Sequence, residues 1–237
     1  TASSKKKIIK GGFFMTRRRF PVGKTLLYVF MSLWALTTIY PFIWVILNSF
    51  KPRGLIRSDT FSLPIGDKFT LENYVTAFKR VDIGTAYVNS IVISGAVTVV
   101  VMVLAGLAAY AMVRYSFRLR GFLHSMIIAS MMFPVFSTII PVFRMESSWG
   151  IVNTGSIWLT RLSVVLPQIA GNLSFAIIVL MGFIRSLPVD LEEAAYLEGY
   201  NVYQIFFRII MPLAKPSFAT VGIFTFLWSY NDLFLQM

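Results

Sequence analysis

The sequence predicts an all-α fold, a polytopic bundle of membrane-spanning helices, and three observations carry that expectation. Of 237 residues, 57% are hydrophobic and 14% charged, with a mean hydropathy of +0.72, a balance soluble domains do not reach. Five windows without Asp, Glu, Lys or Arg lie at 25–50, 87–113, 121–143, 162–184 and 216–231. The first four exceed the roughly 20 residues a helix needs to cross a bilayer, and the fifth falls a few short. The cations alternate with these windows: fourteen fall in the arm and the loops counted as inside, eight in those counted as outside. That asymmetry orients the chain by the positive-inside rule.

The arm at 1–24 is the strongest orienting signal. Lys5, Lys6, Lys7, Lys10, Arg17, Arg18, Arg19 and Lys24 stand there with no acid among them, so the arm is expected in the cytoplasm against anionic membrane lipid. The net charge of +12 is read the same way, with no nucleic-acid partner expected. A cleavable signal peptide is not expected, because the first apolar stretch is long and no small-residue cleavage site follows it.

The transmembrane domain is expected over 25–237. Its first span carries Tyr40, Phe42 and Trp44 near the outer interface, with Pro41 expected to kink the helix. The segment 51–86 reads as an extracytoplasmic loop, with turn residues at 64–67 and a short helix over 71–80 opened by Thr70. In the second window Gly95, Ala96, Ala105, Gly106, Ala108 and Ala109 read as close helix packing. The third holds Pro134 and Pro141, breaks that lipid tolerates only inside protein or against a watery cavity. The fourth presents Gln168, Asn172 and Ser174 beside Pro167; these are candidates for a solute pathway, with contact to neighbouring helices as the alternative. The fifth carries Trp228, Ser229, Asn231 and Asp232.

The connection at 185–215 falls on the cytoplasmic side of this topology and is unlike the other loops. Pro188 suits a first helical position, and Asp190, Glu192 and Glu193 put negative charge where the helix dipole favours it. Gly199 suits the C′ position that ends this helix. Asn201 and Gln204 form a capping box for a second helix, which Pro212 is expected to stop. The only polar stripe of that helix is Asn201, Gln204 and Arg208. Val202, Ile205, Phe206, Phe207, Ile209 and Ile210 therefore demand cover from membrane helices or from another protein.

Glu193-Ala194-Ala195, three residues, Gly199, nine residues, Ile209, one residue, then Met211-Pro212 resembles the signature loop of ABC-importer permeases, with Met211 where that family usually has Leu. The resemblance implies that Leu191, Glu192, Glu193, Ala194, Ala195, Gly199, Ile209 and Pro212 belong to a coupling loop that docks on a cytoplasmic ATPase. Glu193 would meet a basic or amide group there. The segments IYPFIWVILNSFKP, FTLENYVTAF, NSIVISGAVTVVV, LAAYAMVRYSF and WGIVNT are similar to the MalG-type half of carbohydrate ABC permeases.

That resemblance implies six spans, the sixth beyond Met237, with the N-terminus cytoplasmic in a bacterial cytoplasmic (inner) membrane. It also implies a second, MalF-like permease subunit, an ATP-binding-cassette ATPase dimer and an extracytoplasmic solute-binding protein. No cofactor is expected in this chain, ATP and Mg belonging to the ATPase.

The residues themselves argue against enzymatic chemistry. Gly23-Lys24-Thr25 lacks the earlier glycine of a phosphate loop, Arg18 standing in its place. His124 is the only histidine and there is no cysteine, which excludes disulfides and leaves no familiar zinc ligand set. Glu192 and Glu193 are consecutive, so their side chains diverge by about 100° on a helix and form no acid–base pair. The function expected is import of a sugar or oligosaccharide as a transmembrane subunit. The alternatives are another solute, such as glycerol phosphate, a polyol or an amino acid, and an ion-coupled carrier. The carrier is disfavoured because the first four windows hold no acidic or basic residue besides His124.

Overall fold

A computed structural model describes residues 22–152 and 154–232; the lipid-contact reading of residues 1–21 lies outside them. Every regular element is helical, with no strand among the described residues. The chain divides into two compact units, 1–82 and 83–237.

The first unit is led by α1 (Val22–Ser49), 28 residues long and continuous through Pro41. Its most apolar window has a mean hydropathy of 1.8. After it come α2 (Arg53–Ser58), a short turn at Gly66–Lys68 and α3 (Glu72–Arg80). The helix starts one residue later than expected, with Leu71 and not Thr70 as its N-cap; the Thr70 hydroxyl still accepts the Glu72 N–H at 3.1 Å just outside it.

This connection is organised around a buried cation. The Lys51 ammonium donates to the carbonyls of Asp59 (3.1 Å) and Thr60 (2.8 Å), while Asn73 Nδ2 donates to the carbonyls of Ser49 and Lys51 at 2.9 and 2.7 Å. A buried charge is tolerable only with such partners. At the surface Lys68 pairs with Asp59 at 2.7 Å, and this bond, with one from Ser62, holds the Asp59 carboxyl below its usual range.

The second unit is built on α4 (Ile83–Arg114), α7 (Ile157–Ser186) and α11 (Lys215–Tyr230). Val97, Val101, Ala105 and Ala109 of α4 are buried together with Leu180 and Ile184 of α7 and Val221 of α11. The small-residue reading holds at Ala105, Gly106 and Ala109. A Cβ on Gly106 would lie 2.8 Å from Phe218 Cζ and 3.0 Å from Phe206 Cζ, so only glycine admits those rings. Gly95, by contrast, has nothing within 4 Å and takes no part in that contact.

The third window is broken, at the first of its two prolines, into two helices, α5 (Arg120–Ser130) and α6 (Val135–Ser148). Pro134, without an N–H and held extended at φ −67°, ψ 126°, separates them. Pro141, in contrast, lies inside α6. By length and composition α1, α4 and α7 are long and apolar enough to cross a membrane, with a fourth if Val202–Leu213 and Lys215–Tyr230, bent by 82°, form one span. That bend falls at Ala214, directly before α11 and its Pro216.

Candidate functional site

The loop after α7 folds as two helical arms. The first, α8 (Asp190–Leu197), starts two residues later than expected: Val189 is its N-cap and Pro188 stands outside it. Asp190, Glu192 and Glu193 occupy its first turn, where the helix dipole favours acids. It ends in a Schellman motif. Gly199, at φ +83°, bonds its N–H to the Tyr196 carbonyl (3.0 Å), and Tyr200 N–H reaches the Ala195 carbonyl (3.0 Å). A side-chain-bearing residue at that φ is strained, so the glycine sets the angle between the arms.

The second arm opens on the expected capping box, the Asn201 and Gln204 side chains each accepting the other's backbone N–H at 2.9 Å. It does not stop at Pro212. It runs through α9 (Val202–Ile205), a π-helical stretch Phe206–Ile210 and α10 (Met211–Leu213). The wider turn immediately before Pro212 is a known way for a helix to accommodate a missing N–H. Ile205, Phe206 and Ile210 are buried in the chain's own core and Ile209 packs partly against it, whereas Val202, Tyr203 and Phe207 stay exposed.

The two adjacent carboxylates of α8 have different surroundings. Glu192 is 4% exposed and faces α4. Arg114 Nε donates to its Oε1 at 2.5 Å, Tyr110 Oη donates to its Oε2 at 2.7 Å, and Arg114 Nη2 reaches the Leu187 carbonyl at 2.9 Å. Tyr110 also packs on Phe206 at a centroid distance of 5.6 Å, so one side chain of α4 holds both arms. Tyr115 and Tyr196 share a hydrogen bond at 3.0 Å beside them; burial, then that bond, raises the Tyr115 phenol above its ordinary pKa and keeps it neutral.

Glu193, one residue on, is exposed, as are Leu191, Ala194 and Pro212, while Ala195 is buried. Leu197 is 91% exposed at the end of α8. The sequence reading did not single out Arg114, Tyr110 or Leu197. Arg114 was legible only as a cation at the inner end of a span, and nothing in the spacing paired it with an acid 78 residues later.

A second polar cluster lies between the broken third window and α7. Gln168 and Asn172 are buried one turn apart, Asn172 Nδ2 donating to the Gln168 carbonyl at 2.8 Å and the Ser229 hydroxyl of α11 donating to Gln168 Oε1. Ser174 instead bonds Ser130 at the end of α5, at 2.5 Å. A cavity of about 490 Å³ opens here, lined by Ser130, Met131 and Phe133 at the break, by Gln168, Gly171 and Asn172, and by Trp228 and Asp232. Gln168 and Asn172 thus share one site; Ser174 borders it through Ser130.

The family described as binding-protein-dependent transport system inner membrane component matches residues 102–236, a range containing both the loop and the cavity. The chain belongs to that family. Among relatives of this permease, the diacetylchitobiose uptake system permease protein NgcG of Streptomyces coelicolor is 35% identical, over 89% of this chain and 67% of that protein. The trehalose transport system permease protein SugB of Mycobacterium tuberculosis is 33% identical, over 84% and 69% respectively. The crystal structure of a bacterial ABC transporter involved in the import of the acidic polysaccharide alginate shares the fold, with a TM-score of 0.74 at 23% identity over 89% of this chain and 71% of that one. The permease is therefore a membrane-embedded transport component.

Proposed function

We propose that this permease imports a sugar or oligosaccharide and that its loop at 185–215 couples the movement of a separate ATPase dimer, which binds ATP and Mg, to the helices. The names of its relatives, permeases for diacetylchitobiose and trehalose uptake, support a carbohydrate cargo. The observation that carries the coupling role is the contrast on α8. Glu192 is bonded inward to α4, while Glu193 and Leu197 remain exposed for another protein.

Force applied to the exposed side of α8 passes through two charge-assisted hydrogen bonds into the end of a 32-residue helix. That is a stiffer path than a loop tethered by its backbone alone. In this reading the N-terminus and the loop face the cytoplasm, a second permease subunit completes the translocation path, and a solute-binding protein delivers cargo from outside. ATP binding closes the ATPase pair, and the loop converts that closure into alternating access.

The test is uptake by the assembled transporter in proteoliposomes. Glu193→Lys and Gly199→Val are each expected to abolish ATP-driven uptake at wild-type permease levels. Normal uptake by either variant would remove the coupling role from this loop.

A further inference from the structure

The cavity at the broken third window has a feature that packing does not explain. Gln168 is 2% exposed, yet its Nε2 has no hydrogen-bond partner among the described residues, although its Oε1 accepts from Ser229. Leaving such a donor unmet in a buried site forfeits the water bond it had before folding with nothing in exchange. If the amide is turned over, the oxygen is left unmet instead, so the deficit stays at the same place. Gln168 lines the cavity, and so do Ser130, Asn172 and the indole of Trp228.

Trp228 is braced by Phe175, with ring centroids 4.8 Å apart, and by Phe224 at 5.8 Å. A volume of about 490 Å³ lies within the range of roughly 300–1,000 Å³ typical of small-ligand sites. Among the described residues the lining contains one acid, Asp232, and no cation, which disfavours an anionic ligand. An unmet amide, a second amide, a hydroxyl and a braced aromatic are together suited to a neutral polyhydroxylated ring, whose hydroxyls donate and accept and whose C–H face is apolar.

We infer that this cavity is a cargo subsite for an uncharged glycosyl unit, with the Gln168 amide as its central hydrogen-bonding group and Trp228 as its apolar wall. The inference rests on the sugar-import reading and goes beyond it by assigning cargo contact to this subunit rather than to its partner alone. Gly171 supplies a clean probe. It lines the cavity, and a Cβ built on it meets nothing within 4 Å, so side chains of increasing size can be added there without a clash at the backbone.

The experiment uses the complete transporter in proteoliposomes with its solute-binding protein at saturation. The probes are a panel of radiolabelled neutral glucosides, galactosides and N-acetylglucosaminides of one to three units, with labelled glycerol phosphate and amino acids as non-sugar arms. Uptake and ATP hydrolysis are measured together for Gly171→Ala, Gly171→Leu, Gly171→Phe and Gln168→Leu.

The expected result is near-normal transport for Gly171→Ala and a progressive fall to at least tenfold fewer sugars moved per ATP for Gly171→Phe. Gln168→Leu should lose about tenfold by the same measure. ATP hydrolysis stimulated by the binding protein should stay within twofold of wild type in all four, which a purely structural defect would not leave untouched. Wild-type uptake of a panel sugar with an unchanged ratio in Gly171→Phe and Gln168→Leu overturns the subsite alone. Wild-type uptake of only the non-sugar probes overturns the sugar-import reading and the subsite with it.

Discussion

The inner end of α4 and the cavity beside α7 each gather buried polar groups, but they are completed to different degrees. Around Glu192 both carboxylate oxygens are bonded, and Arg114 also reaches the Leu187 carbonyl. Around Gln168 one half of the amide is bonded and the other is not. A satisfied buried network in low dielectric rigidifies, whereas a partly satisfied one retains capacity for a ligand. The first region therefore reads as a joint and the second as a receiving site, and removing side chains should cost more stability in the first than in the second.

The largest effect is expected at the joint. Glu192→Leu or Arg114→Met leaves the other charge buried without its partner, a change of about 3–5 kcal/mol. Either variant should show that loss in denaturant titration of the permease in mixed micelles. At the cavity the paired substitution Gln168→Leu with Ser229→Ala should alter stability by less than at the joint, because the two members of the Gln168–Ser229 bond are removed together and no charge is left buried. A loss there as large as at the joint would erase the distinction between the two clusters.

Intermediate effects belong to the elements that shape the loop. Gly199→Val forces a β-branched residue into a φ of +83°, at a cost of about 1–3 kcal/mol. Asn201→Ala removes one side of the capping box, at a cost of about 1 kcal/mol. Both are measurable in the same titration. The smallest effect is at the exposed Lys68–Asp59 pair of the first unit. The Asp59 pKa is lowered in the folded chain, so its contribution is present above the unfolded value of 3.8 and fades as pH falls through the folded one. Asp59→Asn should make the unfolding midpoint of that unit less sensitive to acid, with little change at neutral pH.

Much of this was legible in the sequence because it depends on local chemistry. The capping box at Asn201 and Gln204 and the C′ glycine at 199 involve neighbours a few residues apart, and both are found where expected. The close packing at Gly106 was readable from residue size, but its partners, Phe206 and Phe218, were not. Proline gave less reliable punctuation. Pro134 separates two helices, yet Pro141, read with it as a break, lies inside α6, and the helix expected to stop at Pro212 passes it by way of a π turn. Their outcome depends on which neighbours replace the lost backbone bond, and those neighbours are distant in sequence. The division of labour between Glu192 and Glu193 was invisible for the same reason, since it is decided by Tyr110 and Arg114 on another helix.

The central claim is that the Arg114–Glu192 pair fastens the loop at 185–215 to α4, and a double-mutant cycle tests it directly. Stability of wild type, Arg114→Met, Glu192→Leu and the double variant would be measured by denaturant titration in mixed micelles. The double variant is expected to be about 3 kcal/mol more stable than the sum of the two single losses allows, since it leaves no unpaired buried charge. A double variant whose loss equals that sum would show that the two residues act independently and would contradict the joint.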